Sequence, residues 1–337
     1  MNWYPWLNQA YRQLVSMYQE GRGHHAILLH ASQGMGADAL SYGLSRWLMC
    51  QNKQGSKSCN ECHSCRLMLA ETHPDWHILQ NEKGKSSIGI EAVRKVTEKL
   101  EHHAQQGGSR VVWIKEVEAL TEAAANALLK TLEEPPVNCY FLLNCQQPEI
   151  LLATLRSRCF YYHLAPPEMN YAIHWLQQQL PNMAYADGVT ALNLSQGAPV
   201  LALSLLKQEW QEREAFCQAL YVSLQQRNLY GLLAQFNQDN AERKIYWLLS
   251  LLLDALKRQT HAEVYCVNQD KQPLIMALSQ LPSAMLLAVS ESWKQCRHQL
   301  VTIPAINKEL LLAEQLLDWE AQLVALGNNF PFHLADK

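Results

Sequence analysis

The chain has 337 residues, with 28 Lys or Arg and 31 Asp or Glu, which gives a formal charge of −3 when His is neutral. This near-neutral balance excludes a broadly basic protein that coats nucleic acid. Hydrophobic residues make up 48% of the chain and charged residues 18%, and together with the length they predict two or three globular domains with hydrophobic cores.

The sequence predicts neither a membrane anchor nor a secretory signal. The longest strongly apolar stretch, Tyr246 to Leu253, is much shorter than the roughly 18 residues that would span a bilayer. Residues 1–15 contain Trp, Pro, Asn, Gln and Arg where a secretory signal has a charged tip and an apolar core. We therefore expect a cytoplasmic protein whose ten cysteines stay reduced.

The first half of the chain alternates short apolar runs with helical periodicity, a pattern typical of βαβ units on a parallel sheet. After Pro166 and Pro167 only helices are predicted. The fold class is thus α/β followed by all-α. The predicted strands are Ala26 to His30, Trp76 to Leu79, Arg110 to Ile114, Tyr140 to Asn144 and Phe160 to Leu164. The predicted helices among them are Ala39 to Cys50, Ile88 to Ala104, Glu122 to Leu132 and Ile150 to Arg156.

Four cysteines lie close together in the sequence with the spacing C-x8-C-x2-C-x2-C. They are Cys50, at the end of a predicted helix, and Cys59, Cys62 and Cys65, in a polar loop. Four thiolates at this spacing can close a tetrahedral zinc site, which leaves no open position for water or substrate. We predict structural Zn²⁺ here. An iron-sulfur cluster is the alternative, although the usual fourth Cys followed by Pro is missing.

A glycine-containing loop with Gly34 and Gly36 connects the first predicted strand to a helix, as in a phosphate-binding loop. In such a loop, backbone N–H groups and a Lys contact phosphate, and Ser or Thr holds magnesium. Here Ala37 stands at the Lys position and Asp38 at the hydroxyl position. The motif alone is therefore weak evidence for phosphate binding, and it favours the alternative of a simple tight strand-to-helix turn.

Two further motifs carry a family resemblance. Residues 124–136 read AANALLKTLEEPP, and Ser157, Arg158 and Cys159 follow downstream. The first run resembles the signature of clamp-loader ATPases of the AAA+ family, and the second matches that family's Ser-Arg-Cys motif. The four-Cys insert is similar to the one in bacterial members of this family, which are subunits of DNA polymerase III. The motifs cover residues 1–207, and the rest of the chain matches more loosely.

The resemblance implies a nucleotide site that has lost its function. Ala37 and Asp38 depart from the phosphate loop, and Lys115 stands where the motor subunits have an Asp that binds magnesium. Residues 144–147 read Asn-Cys-Gln-Gln where those subunits have Ala-Thr-Thr-Asp, and Val200 stands in place of a sensor Arg. We therefore expect no productive ATP binding and no hydrolysis by this chain.

Arg158 is the functional residue that the resemblance implies. In the family, this Arg reaches across a subunit interface to the γ-phosphate of the neighbour's ATP, where a guanidinium neutralises charge that develops in the transition state. We therefore expect Arg158 to act in trans. The alternative is a local ion pair at the end of the strand.

The resemblance also implies an arrangement of domains and partners. We expect an AAA+ domain at residues 1–165 with the zinc module at 50–65, a helical lid at 166–207 and a helical collar for oligomerisation at 208–337. The chain would hold one side of a hetero-pentameric ring that also contains gamma or tau and delta subunits. This ring would load the sliding clamp onto primed DNA. It would be an accessory subunit of the DNA-directed DNA polymerase III holoenzyme, within the replisome at the nucleoid, without catalysis of its own.

Two other classes of function remain as alternatives. The first is a working ATPase, which Ala37 and Lys115 disfavour. The second is a zinc-dependent DNA-binding module that acts alone. The pI of about 6.5 and the lack of a Lys or Arg stripe in the sequence argue against it.

Overall fold

The computed structural model describes residues 2–81, 87–236, 240–303 and 305–326. The chain divides into two compact units, Met1–Pro167 and Glu168–Lys337. The boundary directly follows Pro166 and Pro167. Proline restricts the residue before it to extended backbone, so this pair separates the last strand of the first unit from the first helix of the second.

The first unit is built on a five-stranded sheet with the order β2-β3-β4-β1-β5. Every strand pair is parallel, so all carboxyl ends lie at one edge, where α/β proteins bind ligands. The strong apolar character of β3 agrees with burial on both faces, because all five of its residues are buried. The predicted α/β sheet is confirmed. The strands are β1 Ala26–His30, β2 Trp76–Leu79, β3 Arg110–Ile114, β4 Cys139–Cys145 and β5 Phe160–His163.

Helices of the first unit mostly match the predictions, with three differences. Helix α1 was not predicted, although Leu7, Ala10 and Leu14 are buried along one face of it. Helix α3 lies where a loop was expected. The predicted helix from Ile150 is split into a 3₁₀ turn and a short α6. The helices are α1 Leu7–Gln19, α2 Ala37–Met49, α3 His63–Leu69, α4 Ile90–Glu101, α5 Glu122–Glu133 and α6 Ala153–Arg156.

The described residues of the second unit form helices joined by turns, with no strand among them, as predicted. Its last helix buries Leu312, Leu316, Trp319 and Leu323, which confirms the alternating spacing of four and three. Five π-helical residues, Leu205–Glu209, join α9 to α10, so the predicted domain boundary at residue 207 falls within a continuous helical run. The helices are α7 Met169–Gln179, α8 Tyr185–Leu194, α9 Pro199–Ser204, α10 Trp210–Gln226, α11 Ala241–Gln259, α12 Gln272–Leu278, α13 Ser283–Thr302 and α14 Lys308–Ala325.

A buried ion pair crosses this second unit. Arg213 on α10 donates to Asp270 at 2.6 Å, and their side chains are 0% and 3% exposed. Arg213 also donates to Asn268, and the backbone N–H of Asp270 donates to Thr190 on α8. Because a buried charge without its partner is costly, these contacts tie α8, within the predicted lid, to the predicted collar.

Among the described residues, no single helix has the length and apolar character to cross a membrane. One pair, Gln269–Leu278 and Ser283–Thr302, reaches the required length and composition only when joined, and it is bent by 117°.

Candidate functional site

The four predicted cysteine ligands come together in the first unit. The sulfurs of Cys50, Cys59, Cys62 and Cys65 all lie within 4.8 Å of one another. The Cys50 and Cys59 sulfurs are 3.6 Å apart, and those of Cys59 and Cys65 are 3.9 Å apart. A tetrahedral zinc ion with bonds of about 2.3 Å holds its sulfurs about 3.8 Å apart. The four thiols thus fit the geometry of one tetrahedral metal ion.

Two helix ends place these ligands. Cys50 is the C-cap residue that directly follows α2. Cys62 caps the start of α3, where its sulfur accepts a hydrogen bond from the backbone N–H of Cys65. Cys65 therefore lies within a helix, not in the predicted polar loop. This cap holds the Cys62 sulfur beside the backbone of Cys65, so the C-x2-C pair is brought together at the start of the helix.

Backbone donors favour the thiolate form of part of this cluster. The N–H groups of Cys62 and Glu61 donate to Cys59 and lower the pKa of its thiol to about 6. Burial acts in the opposite direction and raises the pKa of the Cys50 and Cys65 thiols. A bound cation would offset that burial penalty, because metal ligation deprotonates a thiol.

The loop between α2 and α3 is fixed to the rest of the unit by side-chain hydrogen bonds. The indole N–H of Trp47 donates to the carbonyl of Gly55 at 3.0 Å, and the hydroxyl of Tyr11 donates to the carbonyl of Ser56. On the other side, Ser64 donates to the carbonyl of Met49 and contacts His73 Nε2 at 2.9 Å. The four-Cys site is therefore an integral part of the unit.

The loop after β1 has the backbone of a tight turn, and aromatic side chains lie against it. Gly34 and Gly36 have φ values of 81° and 88°, a region that glycine adopts without strain. A Cβ at Gly36 would lie 2.7 Å from the ring of Tyr4. The indole N–H of Trp6 donates to the carbonyl of Met35 at 2.8 Å. The N-terminal segment thus packs directly on the predicted phosphate loop.

Asp38 is engaged in a side-chain network at the start of α2. The amide of Asn144 donates to the Asp38 carboxylate at 2.8 Å, and the hydroxyl of Ser41 donates to the amide oxygen of Asn144 at 2.6 Å. Asn144 is 4% exposed. Two of the positions that depart from the ATPase pattern therefore bind each other.

The loop after β4 is held in a similar way. Glu118 accepts hydrogen bonds from the backbone N–H groups of Gln146 and Gln147, the second at 2.7 Å.

Two other positions that depart from the ATPase pattern lie elsewhere. The Nζ of Lys115, which directly follows β3, lies 5.1 Å from the ring centroid of Trp113. Val200 lies in α9 of the second unit.

Arg158 follows α6 and precedes β5, at the predicted position. Its Nε donates to the Glu133 carboxylate at 2.7 Å, and its Nη2 contacts the same oxygen. Its Nη1 donates to the carbonyl of Thr154 at 2.7 Å. The side chain is 30% exposed. Within this chain Arg158 thus forms a local ion pair. This is the contact that the sequence analysis gives as the alternative to a role in trans.

Sequence reasoning did not identify Glu133, Tyr4 or Asn144 as contacts of these sites. Glu133 belongs to the LEEPP run, but its partner Arg158 lies 25 residues further along the chain. Only the position of Asn144 carried a signal, since it falls in a segment that departs from the ATPase pattern.

Comparisons with known proteins agree with this architecture. A family model described as DNA polymerase III, delta subunit, matches residues 6–168. The AAA+ ATPase lid domain of DNA polymerase III subunit delta' matches residues 167–207. The C-terminal model of the delta subunit matches residues 207–321.

Relatives match over nearly the whole chain. DNA polymerase III subunit delta' of Yersinia pestis is 56% identical and covers 96% of this chain and 97% of that protein. The delta' subunit of Escherichia coli (strain K12) is 48% identical with the same coverage. DNA polymerase III subunit tau of Salmonella typhimurium is 28% identical over 89% of this chain and 48% of that protein. On these similarities and the AAA+ architecture, the chain belongs to the delta' subunit family of bacterial DNA polymerase III.

Proposed function

We propose that this chain is a clamp-loader subunit that hydrolyses no ATP, holds a fixed position in the ring and supplies Arg158 to a neighbouring ATPase subunit. The observation that carries this proposal is the contrast between two sites in one unit. The Ser157-Arg158-Cys159 motif is intact, whereas Asp38 of the altered phosphate loop is hydrogen bonded to Asn144.

Nucleotide binding by this chain is disfavoured by chemistry and by packing. Asp38 would repel phosphate, and Ala37 offers no cation for the β and γ oxygens. Tyr4 lies against Gly36. The N–H of Met35 donates to the carbonyl of Ser32 at 3.2 Å, which removes one backbone donor from the phosphate-binding set.

The role of a fixed member is supported by the second unit. The buried pair of Arg213 and Asp270 joins α10 to the segment before α12, and Thr190 adds a contact from α8. An arrangement secured by buried charges resists rearrangement, because opening it would expose or unpair them. We therefore propose that the lid and collar segments move together.

The metal of the four-Cys site is proposed to be Zn²⁺ in a structural role. Four protein sulfurs complete a tetrahedral shell and leave no position for a substrate. The partners are proposed to be gamma or tau and delta subunits in a hetero-pentameric cytoplasmic ring that places the sliding clamp on primed DNA. The catalytic activity of the holoenzyme would then reside in other subunits.

Purification of the tagged chain from bacteria, with identification of co-purifying subunits, tests the assembly. The same chain purified alone should have no ATPase rate above background, and Ala37→Lys should not create one, because Lys115 still replaces the Asp that binds magnesium and Asp38 still repels phosphate. Turnover by the pure wild-type chain that disappears on changing Gly36 would instead support the working-ATPase alternative. Salt-dependent DNA binding by the lone chain would support the DNA-binding alternative.

A further inference from the structure

Arg158 is bound along one side of its guanidinium. Nε and Nη2 both contact a single carboxylate oxygen of Glu133, and Nη1 donates to the backbone carbonyl of Thr154. These contacts use three of the five N–H bonds that a guanidinium carries. Among the described residues, one N–H on each terminal nitrogen is left without a hydrogen bond in this chain.

These two remaining N–H bonds are on the terminal nitrogens, which form the far end of the side chain. A guanidinium can bind phosphate through N–H donors on its two terminal nitrogens. The Arg158 side chain is 30% exposed, so solvent reaches part of it. The contact with Glu133 therefore leaves a donor on each terminal nitrogen for a ligand outside the chain.

We propose that Glu133 is a positioning residue for Arg158: it holds the guanidinium so that its terminal N–H pair faces the γ-phosphate of a nucleotide in the adjacent subunit. This inference rests on the proposed function of Arg158. Glu133 contacts neither nucleotide nor reacting atoms in this scheme, and it acts only through the arginine.

Glu133 is itself held in place by α5. Glu133 is the last residue of α5, whose first turn is capped by Thr121 and whose inner face buries Leu128 and Leu132. A free arginine has many rotamers, and fixing it at the moment of reaction costs conformational entropy. A carboxylate on a fixed helix end lowers that cost by ordering the side chain in advance.

The opposite role, in which Glu133 masks Arg158 until the ring assembles, is less consistent with the geometry. A masking carboxylate would be expected to occupy the terminal nitrogens with both oxygens, the arrangement that competes directly with phosphate. Here a single oxygen binds Nε and Nη2. The two roles predict opposite signs for the same substitution, so one experiment separates them.

The test uses the reconstituted clamp-loader complex with ATP, primed DNA and sliding clamp, and measures the DNA-stimulated ATPase rate and clamp loading. At the one ATP site that Arg158 faces, Glu133→Ala should lower the rate by roughly 2- to 10-fold, the range expected when one side chain is no longer ordered in advance. The loss for the whole ring should be smaller than this and smaller than the loss with Arg158→Ala. Glu133→Gln should keep most of the rate because its amide oxygen still accepts from Nε. The matched control is Glu134→Ala, the adjacent exposed carboxylate.

Two further variants make the result specific. Glu133→Ala should add no loss in an Arg158→Ala background, because its effect passes through the arginine. Glu133→Ser repeats the deletion with another side chain, and thermal unfolding checks that each chain is folded. Since Glu133 is 49% exposed, its removal should leave the fold intact.

The outcomes separate this inference from the proposed function. A faster Glu133→Ala complex would mean that Glu133 masks the arginine, and an unchanged one beside an impaired Arg158→Ala complex would mean that Arg158 needs no support. Either result overturns the positioning role while Arg158 still acts in trans. Full activity of Arg158→Ala would instead remove the proposed function, and the positioning role with it.

Discussion

The Asn144 amide donates a hydrogen bond to the Asp38 carboxylate at 2.8 Å and joins the end of β4 to the first turn of α2. Both positions depart from the ATPase pattern. In this chain they satisfy each other, with Ser41 as a third member. Their contact has become structural, which gives the altered site a measurable role in stability.

Asn144→Ala should therefore destabilise the first unit. The substitution leaves the Ser41 hydroxyl, 2% exposed, without its acceptor, and an unsatisfied buried polar group costs about 1–3 kcal/mol. The exposed Asp38 carboxylate loses a donor that water can replace. Urea unfolding monitored by fluorescence measures the loss. Asn126→Ala, on the exposed face of α5, should change the free energy of unfolding by much less. Equal effects of the two variants would contradict the structural role.

The four-Cys site should contain about one zinc per purified chain, the content of a single four-thiolate site. Cys62→Ser should lower that content and loosen the loop between α2 and α3, because one of the four ligands is lost while Ser can still cap α3. Metal analysis and limited proteolysis give the two readouts. Cys159→Ser, a partly exposed cysteine outside the cluster, is the control. Iron with visible absorption bands would contradict zinc.

The sheet and the cysteine cluster could be predicted from the sequence because both depend on local patterns. Strands are marked by apolar runs, and the C-x2-C spacing already implies proximity. The contacts of Arg158 and of Gly36 could not be predicted in this way. Glu133 meets Arg158, and Tyr4 meets Gly36, only after the sheet has brought distant segments together. Helix α1 is not predicted because polar and aromatic residues interrupt the apolar spacing of Leu7, Ala10 and Leu14.

Arg213→Leu should strongly destabilise the second unit. The change removes the closer cation of the Asp270 carboxylate, which is 3% exposed, and leaves it only Lys271 at 3.7 Å. Breaking a buried pair in this way costs about 3–5 kcal/mol. Arg297→Leu is a matched control, because its pair with Glu242 is about half exposed and such pairs contribute about 0–1 kcal/mol. Denaturant unfolding compares the two variants. A loss at Arg213 no larger than the loss at Arg297 would show that the buried pair is not a structural tie.

The region around the four-Cys site should lose stability as the pH falls below about 6.5. Burial lowers the pKa of His73 from its usual 6.5, and the backbone N–H of Asp75 donates to its Nδ1 at 3.1 Å. His73 therefore binds a proton more readily in the unfolded chain than in the folded one. Its contribution to the free energy of unfolding is present above pH 6.5 and is lost as the pH falls through the pKa of the folded state.

His73→Gln should flatten that part of the pH profile of unfolding, whereas His103→Gln, an exposed histidine in the same unit, should leave the slope unchanged. Thermal unfolding across pH 5 to 8 provides the comparison. An identical slope in wild type and His73→Gln would contradict the assignment.

The most direct test of the central claim is the DNA-stimulated ATPase rate of the complex reconstituted with Arg158→Ala. An arginine finger is worth roughly 10³ to 10⁵ in rate at its own site, and the loss for the whole ring should be smaller because only one of several ATP sites faces this subunit. Arg158→Lys should rescue poorly, since a point charge lacks the planar fork. The account predicts a complex that assembles normally but hydrolyses ATP and loads clamps more slowly. Normal rates in both assays, or failure to assemble, would contradict it.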